Sequence, residues 1–456
     1  MTDQHIRAQF SDCDDFVARV LQCGQHTLYA YAIDGLVSGG TVSDFVLRPI
    51  ADHLRGETLR DLYKNALSGQ IYNAVAKPCK DFQDLTVKLV NGFTVLLFPG
   101  VGAIAFETRT PEKRSVSPPE VENTVKGPKD AFTETVRTNT SLLRRHLRTP
   151  DLRLYGTMAG RKSLTYMVVA WIEGVTDPEL VSRMKLRLSR IQTDDLLTPS
   201  AVEEQITGAR ATPFPLLQYT ERPDKFAQGL LSGRVGVLVD GLPLGYLAPV
   251  DLGYLMYSPE DYGIDAFSAG AIRILRYGAL LLSLLLPGFY LALTVFHQEM
   301  IPLPLLRSII EARASVPFST ATEVLGLLVA FELLQEAGIH LPKSIGQSVS
   351  IIGGIVVGTA AVEASLISPA ALIVVSLAGI CGFALPNRDF AEAVRLCRFG
   401  LALLGAKAGL FGLTLGAVLL LIHLSRVDSL GEAYLAPFSE LRHLKILRPK
   451  AGEGKE

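Results

Sequence analysis

One long apolar stretch, interrupted by a single carboxylate, restricts the possible fold more than any other feature. Residues Ile345–Val362 carry no charged side chain, nor do Ala364–Asn387, and only Glu363 lies between these runs. Each run is long enough to cross a hydrocarbon core of about 30 Å, which takes roughly 20 apolar residues in a helix. Pro369 favours the start of a second helix after a tight turn. We therefore predict a membrane helical hairpin over Ile345–Pro386; a buried hairpin in a large soluble core is the alternative.

The remaining composition limits the partners and the chemistry. Lys and Arg number 44 and Asp and Glu 45, so the net charge is −1 and no basic excess favours nucleic acid as a partner. The first residues are acidic and polar, without the apolar segment of a signal peptide. Five scattered cysteines without a CxxC pair predict reduced thiols, and neither a metal site nor a cofactor: Cys13, Cys23, Cys79, Cys381 and Cys397.

The first 265 residues have an ordinary soluble composition. In their first part, Thr27–Ile33 has the β-branched and aromatic residues of a strand, Asp34-Gly35 marks a turn, and Ser43–Leu54 has helical spacing. Residues Asn91–Glu107 then predict two strands around Pro99-Gly100. This part is therefore predicted to combine strands and helices.

The second part repeats the same order of elements. Residues Leu164–Ile172 predict a strand, Glu173-Gly174 a turn, and Pro178–Ile191 a helix. Another hairpin is predicted around Asp240-Gly241, within Gly233–Pro249. We predict two related α/β modules. Because strings of strand, helix and hairpin are common, chance similarity is the alternative.

A basic helix is predicted between the modules, over Lys129–Leu147. Its apolar residues lie largely on one helical face, and four arginines lie mostly off it: Arg137, Arg144, Arg145 and Arg148. A solvated basic face explains this pattern. Docking to a neighbouring subunit or to anionic lipid head groups is the functional alternative.

A charged loop, Thr220-Glu221-Arg222, precedes a helix predicted from Pro223 to Gly233. Its charges suggest catalysis, but no base, nucleophile or metal ligand set accompanies it. Neither an HExxH motif nor a paired-carboxylate motif occurs in the chain. We therefore predict that the protein is not an enzyme.

The second half of the chain is membrane-like. A first span is predicted over Tyr277–Phe296, with a kink at Pro287-Gly288. Arg273 and Arg276 precede this span, which favours a cytoplasmic position for the soluble half. A last span is predicted over Phe399–Leu424, with Lys407 inside it.

Residues Thr320–Gly338 are too charged to face lipid, because they include Glu323, Glu332 and Glu336. This segment is predicted either to lie at the membrane interface or to line an aqueous path enclosed by protein. Four full spans with a re-entrant or interfacial helix are the preferred arrangement, and five spans are the alternative.

Several segments together resemble the GerA family of spore germination proteins, which comprises the A subunits of nutrient germinant receptors and their SpoVAF-like relatives. The segments are Tyr31–Leu36, Lys126–Arg145, Phe214–Pro223, Gly233–Gly241, Val316–Phe318, Phe331–Pro342 and Ile351–Pro369. The family-motif positions within them are Asp34, Gly35, Arg137, Thr138, Asn139, Thr220, Glu221, Arg222, Pro223, Asp240 and Gly241. The resemblance covers nearly the whole chain.

The resemblance implies an integral protein of the inner spore membrane. It also implies a receptor that contains a transporter-like B subunit and a lipoprotein C subunit, with the A subunit as the oligomeric, ion-conducting part that nutrient germinants open. A non-conducting scaffold or signal-transmitting subunit, or a permease-like membrane protein, is the alternative function.

Four regions follow from these patterns. We predict a first cytoplasmic α/β module over residues 1–125, and a linking helix with the second module over 126–265. A transmembrane helical domain of about four to five spans is predicted over 266–426, and a short cytoplasmic tail over 427–456.

Glu363 is the charged residue that the apolar stretch leaves to be explained. A carboxylate in lipid costs about 2.5 to 3.5 kcal/mol on insertion scales. Protonation, pairing with Lys407, or a position on a watery path between subunits would each lower this cost. In the last case Glu363 would belong to a cation-selective lining, together with Glu323, Glu332 or Glu336.

Overall fold

The computed structural model describes residues 1–109, 119, 122, 127–194, 196, 198–208, 212–340 and 358–436. The chain forms two compact units, Met1–Arg210 with Leu216–Pro249 and Ala211–Pro215 with Val250–Glu456. The division into four regions with boundaries at residues 125, 265 and 426 stays a prediction.

The first module of the N-terminal unit is a five-stranded antiparallel sheet with helices. Its strands are β1 (Phe16–Cys23), β2 (His26–Ile33), β3 (Ala76–Pro78), β4 (Phe93–Phe98) and β5 (Gly102–Glu107), in the order β1-β2-β4-β5-β3. Its helices are α1 (Asp3–Gln9), α2 (Gly39–Val42), α3 (Arg48–Asp52), α4 (Leu59–Asn65) and α5 (Phe82–Val90), with π-helical turns at Ser43–Leu47 and Ala66–Gln70.

Both faces of this sheet are covered. Val95 and Leu97 of β4 pack into the core that contains α1 and α5, whereas Leu96 and Phe98 pack into the core that contains α3 and α4. Successive side chains of a strand point to opposite faces, so a strand buried on both faces needs a continuous apolar run. The buried run of β4 meets this requirement.

The second module is again a five-stranded antiparallel sheet. Its strands are β6 (Leu152–Ala159), β7 (Thr165–Ile172), β8 (Gln218–Thr220), β9 (Val235–Val239) and β10 (Gly245–Ala248), in the order β6-β7-β9-β10-β8. Its helices are α7 (Pro178–Ser189), α8 (Pro199–Thr207) and α9 (Pro223–Leu231). Pro223 is the first residue of α9, as predicted.

The two modules share one topology. If the strands are numbered within each module, both sheets have the order 1-2-4-5-3, and the short third strand lies at an edge of each. The hairpins at Gly100 and Gly241 join the same pair of strands, the fourth and fifth, in both modules. The prediction of two related α/β modules is confirmed.

Helix α6 (Val136–His146) follows the first module and is shorter than the helix predicted over Lys129–Leu147. Asn139 holds the preceding residues out of the helix, because its side chain bonds both the N–H and the carbonyl of Thr133, at 2.7 and 2.6 Å. The solvated basic face predicted for this helix is wrong for Arg144, which is only 1% exposed.

Arg144 is buried because the first module supplies its counter-ion. Its Nε and Nη2 donate to the two carboxylate oxygens of Asp15 at 2.8 and 2.9 Å. Burial alone would lower the pKa of Arg144, but the nearby carboxylate outweighs burial and raises that pKa. The paired charges therefore tie α6 to the residue that precedes β1.

The C-terminal unit is largely helical. Its helices are α10 (Leu252–Leu255), α11 (Ala266–Val295), α12 (Leu303–Arg313), α13 (Thr320–His340), α14 (residues 358–363), α15 (Pro369–Phe383) and α16 (Arg388–Arg426). Short 3₁₀ turns lie at Pro259–Tyr262 and Gln298–Met300, and a small hairpin pairs β11 (Asp428–Ser429) with β12 (Glu432–Ala433). By length and composition, α11 and α16 are the two described helices apolar enough to cross a membrane.

The predicted membrane hairpin is described in part. Helix α15 starts at Pro369, and Ser368 caps it by accepting a hydrogen bond from Ala371 N at 3.3 Å, which confirms the predicted break. Most of the first arm, Ile345–Val362, lies outside the described residues. The first span is continuous helix through Pro287, so the kink there stays a prediction.

We expect Asp15→Asn to lower the free energy of unfolding by about 3 kcal/mol, because Arg144 would lose a buried counter-ion. The fluorescence of Trp171, the single tryptophan, reports unfolding of the N-terminal unit in the detergent-solubilised protein. Asp34→Asn is the matched control, since the Asp34–Arg137 pair is exposed and is worth at most about 1 kcal/mol. Equal losses in the two variants would contradict the assigned role of the buried pair.

Candidate functional site

Helix α16 reverses direction in its middle. An unbroken helix would place Phe390 and His423 about 50 Å apart, because each of the 33 residues adds about 1.5 Å. Instead, the ring of Phe214 lies 6.0 Å from the ring of Phe390 and 6.3 Å from that of His423. The backbone φ and ψ angles of Ala408 and Gly409 are not helical. The helix is therefore two antiparallel arms, Arg388–Lys407 and Leu410–Arg426, with Ala408-Gly409 as the apex.

The apex lies where α11 ends. Gly409 has φ 58° and ψ −144°, a conformation that residues with a side chain rarely adopt. A Cβ at Gly409 would lie 3.0 Å from His297 Nε2 and 3.0 Å from Phe296 Cβ. The prediction of one last span with Lys407 inside it is therefore wrong. Lys407 adjoins the apex, and its side chain is exposed.

Glu323 is buried in the first turn of α13. One carboxylate oxygen accepts a short hydrogen bond from Ser368 N, at the start of α15. The other lies 3.8 Å from Arg313 Nε, and the Glu323 side chain is fully buried. The N-terminal end of a helix carries a partial positive charge, which favours a carboxylate there. Glu323 therefore joins three helices: α12, α13 and α15.

Glu332 has a different set of partners. Its carboxylate accepts a hydrogen bond from Arg398 Nη2 at 2.8 Å and lies 3.5 Å from Arg395 Nη1. Both arginines are on the first arm of α16. Arg398 is buried, so the pair is shielded from solvent at one side. Glu336 lies one turn further along α13 and is exposed. The carboxylates of α13 thus face different neighbours within one chain.

Glu363 is the last residue of α14, five positions before the Ser368 cap. It is exposed, and neither it nor Lys407 forms an ion pair within the part of the chain that the structure describes. The Glu363–Lys407 pair, one of the three alternatives for Glu363, is therefore not formed in this single chain. The role of Glu363 in a lining stays a prediction.

Two arginines at the start of α11 are bound by protein groups. Arg276 Nη1 donates to Asp261 Oδ2 at 2.6 Å and to the carbonyl of Met256 at 3.1 Å. The guanidinium of Arg273 lies 3.8 Å from the ring centroid of Tyr257. Both arginines are buried and lie within α11, whereas the sequence pattern predicted that they precede the first span.

The two Asp-Gly turns of the family motif contact one helix, α6. Asp34 forms an ion pair with Arg137, and Ser141 Oγ donates to the carbonyl of Gly35 at 2.9 Å. In the second module, Asp240 Oδ1 accepts from Val136 N at 2.9 Å. Gly241 N donates to the carbonyl of Glu134 at 2.7 Å, just before α6. The motif positions therefore join both modules to α6; Thr138 is half-buried on the same helix.

The Thr220–Pro223 motif, predicted to begin with a charged loop, forms a largely buried corner. Thr220 ends β8 and bonds Glu122, while Arg222 binds both oxygens of Asp224, at 3.0 and 2.6 Å. The carbonyl of Glu221 accepts from Phe132 N at 2.7 Å. Among the described residues, no three His, Cys, Asp or Glu side chains form a metal-binding group. All five cysteines are free thiols.

A sequence profile of the family described as "Bacillus/Clostridium GerA spore germination protein" matches residues 4–449. The chain belongs to the GerA family. Membership in this germinant receptor family, which is not enzymatic, confirms the prediction that the chain is not an enzyme.

Curated relatives match most of the GerA chain. The membrane protein YfkQ of Bacillus subtilis is 35% identical over 95% of this chain and 85% of its own length. Spore germination protein KA of Bacillus subtilis is 34% identical over 95% of this chain and 80% of its own length. Spore germination protein A1 of the same organism is 37% identical over 79% of this chain and 75% of its own length. The protein is thus a membrane protein homologous to germinant receptor A subunits.

A crystal structure of the N-terminal domain of the A subunit of the Bacillus megaterium spore germinant receptor GerK3 is also similar. It is 27% identical and has a TM-score of 0.42, and it covers 54% of this chain and 92% of that domain.

The turn at Gly409 predicts that a side chain at this position lowers the free energy of unfolding. We expect Gly409→Ala to destabilise the protein by about 1–3 kcal/mol, because alanine would be strained at this φ and would press on Phe296 and His297. Gly400→Ala is the control, since Gly400 is helical and has open space beside it. Thermal unfolding in detergent measures both. A loss in Gly400→Ala as large as that in Gly409→Ala would contradict the assigned turn.

Proposed function

We propose that this protein is a subunit of a spore germination complex in the inner spore membrane, where copies of it assemble to form or gate an ion-conducting path that opens in response to nutrient germinants. The observation that carries this proposal is the exposure of Glu363 within an otherwise uncharged stretch of more than 40 residues. A carboxylate exposed to lipid is costly, so an assembled protein should cover it or give it access to water.

Assembly explains why the single chain leaves this charge uncovered. Glu323 and Glu332 have partners inside the chain, whereas Glu363 has none among the described residues. In a symmetric ring, one carboxylate per chain becomes a ring of carboxylates. Such rings favour cations. The supported lining residue is therefore Glu363, with Glu323 and Glu332 as structural contacts.

The names of the relatives support the placement in a germination complex. Two of them are named spore germination proteins KA and A1. By family resemblance, we propose a transporter-like B subunit and a lipoprotein C subunit as partners and a homo-oligomer of this chain within the bilayer. Nucleic acid is not proposed as a partner.

A non-conducting scaffold or signal-transmitting subunit is the second candidate. The hydrogen bonds of Glu323 with Ser368 and of Glu332 with Arg398 favour it, because both fix helices to each other rather than lining a path. A permease-like protein that acts alone has no specific observation in its favour. Ion flux separates the first two candidates.

We expect Glu363→Gln to preserve assembly but to reduce cation efflux on triggering, because glutamine keeps the size and the hydrogen bonding while the charge is lost. The measurements are oligomer mass in detergent, and potassium efflux from germinating spores or from proteoliposomes that contain the complete complex. Glu392→Gln is the matched control, because this half-exposed carboxylate of α16 pairs with Arg388 and Arg395 among the described residues. Unchanged efflux and selectivity in Glu363→Gln would remove the conducting role and favour the scaffold.

The soluble half is proposed to be cytoplasmic, and an introduced cysteine can test this orientation. Burial raises the pKa of the native Cys79 thiol to about 11, so little reactive thiolate is present and Cys79 is a poor reporter. Ser68 is exposed, and we expect Ser68→Cys to react with an impermeant reagent only after the cells are lysed. Labelling in intact cells would reverse the proposed orientation.

A further inference from the structure

Helix α12 (Leu303–Arg313) joins α11 to α13 at one end of the helical unit. The chain leaves α11 at Val295 and passes His297, which lies at the apex of α16. At its other end, Arg313 lies 3.8 Å from Glu323, in the first turn of α13. Both ends of α12 therefore lie at the same end of the bundle, where α11 stops and α13 starts.

No side chain of α12 is buried in this chain. Leu303, Leu305 and Ile310 are 59%, 54% and 55% exposed. At 100° per residue, the leucine and isoleucine positions occupy one broad side of the helix, which at its last residue also includes Arg313, the neighbour of Glu323. Arg307 and Glu311 lie together on the opposite side, one turn apart. The helix is amphipathic, and its 11 residues are too few to cross a bilayer, which takes roughly 20.

Exposed apolar residues also occur where the membrane-length helix α11 leads into α12. Phe296, directly after α11, is 45% exposed, and Met300, just before α12, is 59% exposed. Exposed apolar residues therefore lie both at the end of α11 and from Met300 to Leu305, separated along the chain by the exposed polar residues Gln298 and Glu299. Polar residues between apolar ones are typical of a chain at the membrane interface, so the medium that surrounds α11 is favoured as the medium that also covers the apolar side of α12.

We propose that α12 is an interfacial helix that binds the lipid bilayer. It lies parallel to the membrane at the boundary between head groups and acyl chains, with Leu303, Leu305 and Ile310 in the acyl region. Arg307 is then directed toward the lipid phosphates, which suits a cationic side chain. The proposal uses the membrane location of the protein and does not depend on ion conduction.

Lipid binding at this position has a structural consequence. Arg313 ends α12, lies beside Glu323 and thereby adjoins the hydrogen bond from Ser368 N. If lipid holds α12 at the membrane surface, it also fixes the position of Arg313 beside Glu323, which positions the start of α15. Lateral pressure or lipid composition acts on α15 through these three residues.

Depth-dependent fluorescence quenching tests the proposal in the full-length protein reconstituted in phosphatidylcholine–phosphatidylglycerol nanodiscs. Leu305→Trp and, separately, Leu303→Trp are compared with the parent, whose Trp171 supplies the background. We expect lipids brominated near the glycerol backbone to quench both tryptophans about twofold more than lipids brominated near the acyl-chain ends, because an interfacial helix buries its apolar side only about 5–10 Å deep.

Two matched positions set the scale. Ser308→Trp lies on the polar side of α12 and is expected to show little quenching by either lipid. Leu419→Trp, on the exposed apolar middle of the second arm of α16, reports quenching by the deeper bromines. Stronger quenching of Leu305→Trp by the deep bromines would overturn the interfacial position. Quenching by aqueous iodide alone would place α12 in water. Resistance to every quencher would mean that a second protein surface covers it.

Discussion

The hydrogen bond from Ser368 N to the carboxylate of Glu323 fixes the arrangement of the helical unit. It connects the start of α15 to the start of α13, and Arg313 brings α12 to the same point. In apolar surroundings each of these groups would be costly alone, because an unpaired buried charge loses its hydration without compensation. If any one of these groups were removed, the remaining groups would stay buried without a partner. The pairing therefore keeps the three helices together at this end.

Local patterns were sufficient to predict the two α/β modules. Strand β4 is a continuous apolar run, Asp34-Gly35 and Asp240-Gly241 are strong turn signals, and Pro223 and Pro369 favour helix starts. Each of these signals specifies structure within a few residues of its own position. The same order of signals occurs in both modules, which allowed the duplication to be predicted. The start of α15 was predicted for the same reason.

Long-range partners were not predictable from such patterns. Arg144 is buried only because Asp15, 129 positions earlier, supplies a counter-ion. The reversal of α16 was missed because Gly409 is one of several glycines in its apolar segment, and steric contact with Phe296 and His297 is visible only after folding. Lys407, a charge in the middle of that segment, was the one local signal for a helix end. For Glu363, the sequence identified the unusual charge but not its partner.

The reversal of α16 also determines where the chain leaves the helical unit. Residues after the second arm return to those before α11, where Leu252 N donates to the carbonyl of Tyr434 at 2.8 Å and Val250 N to Ser429 Oγ at 2.9 Å. The entry and the exit are thus joined on one side of the bilayer, so the chain between them must cross the membrane an even number of times. Gaining or losing a single crossing would separate residues that the fold holds within hydrogen-bond distance, so the number of crossings can change only by two without breaking this closure.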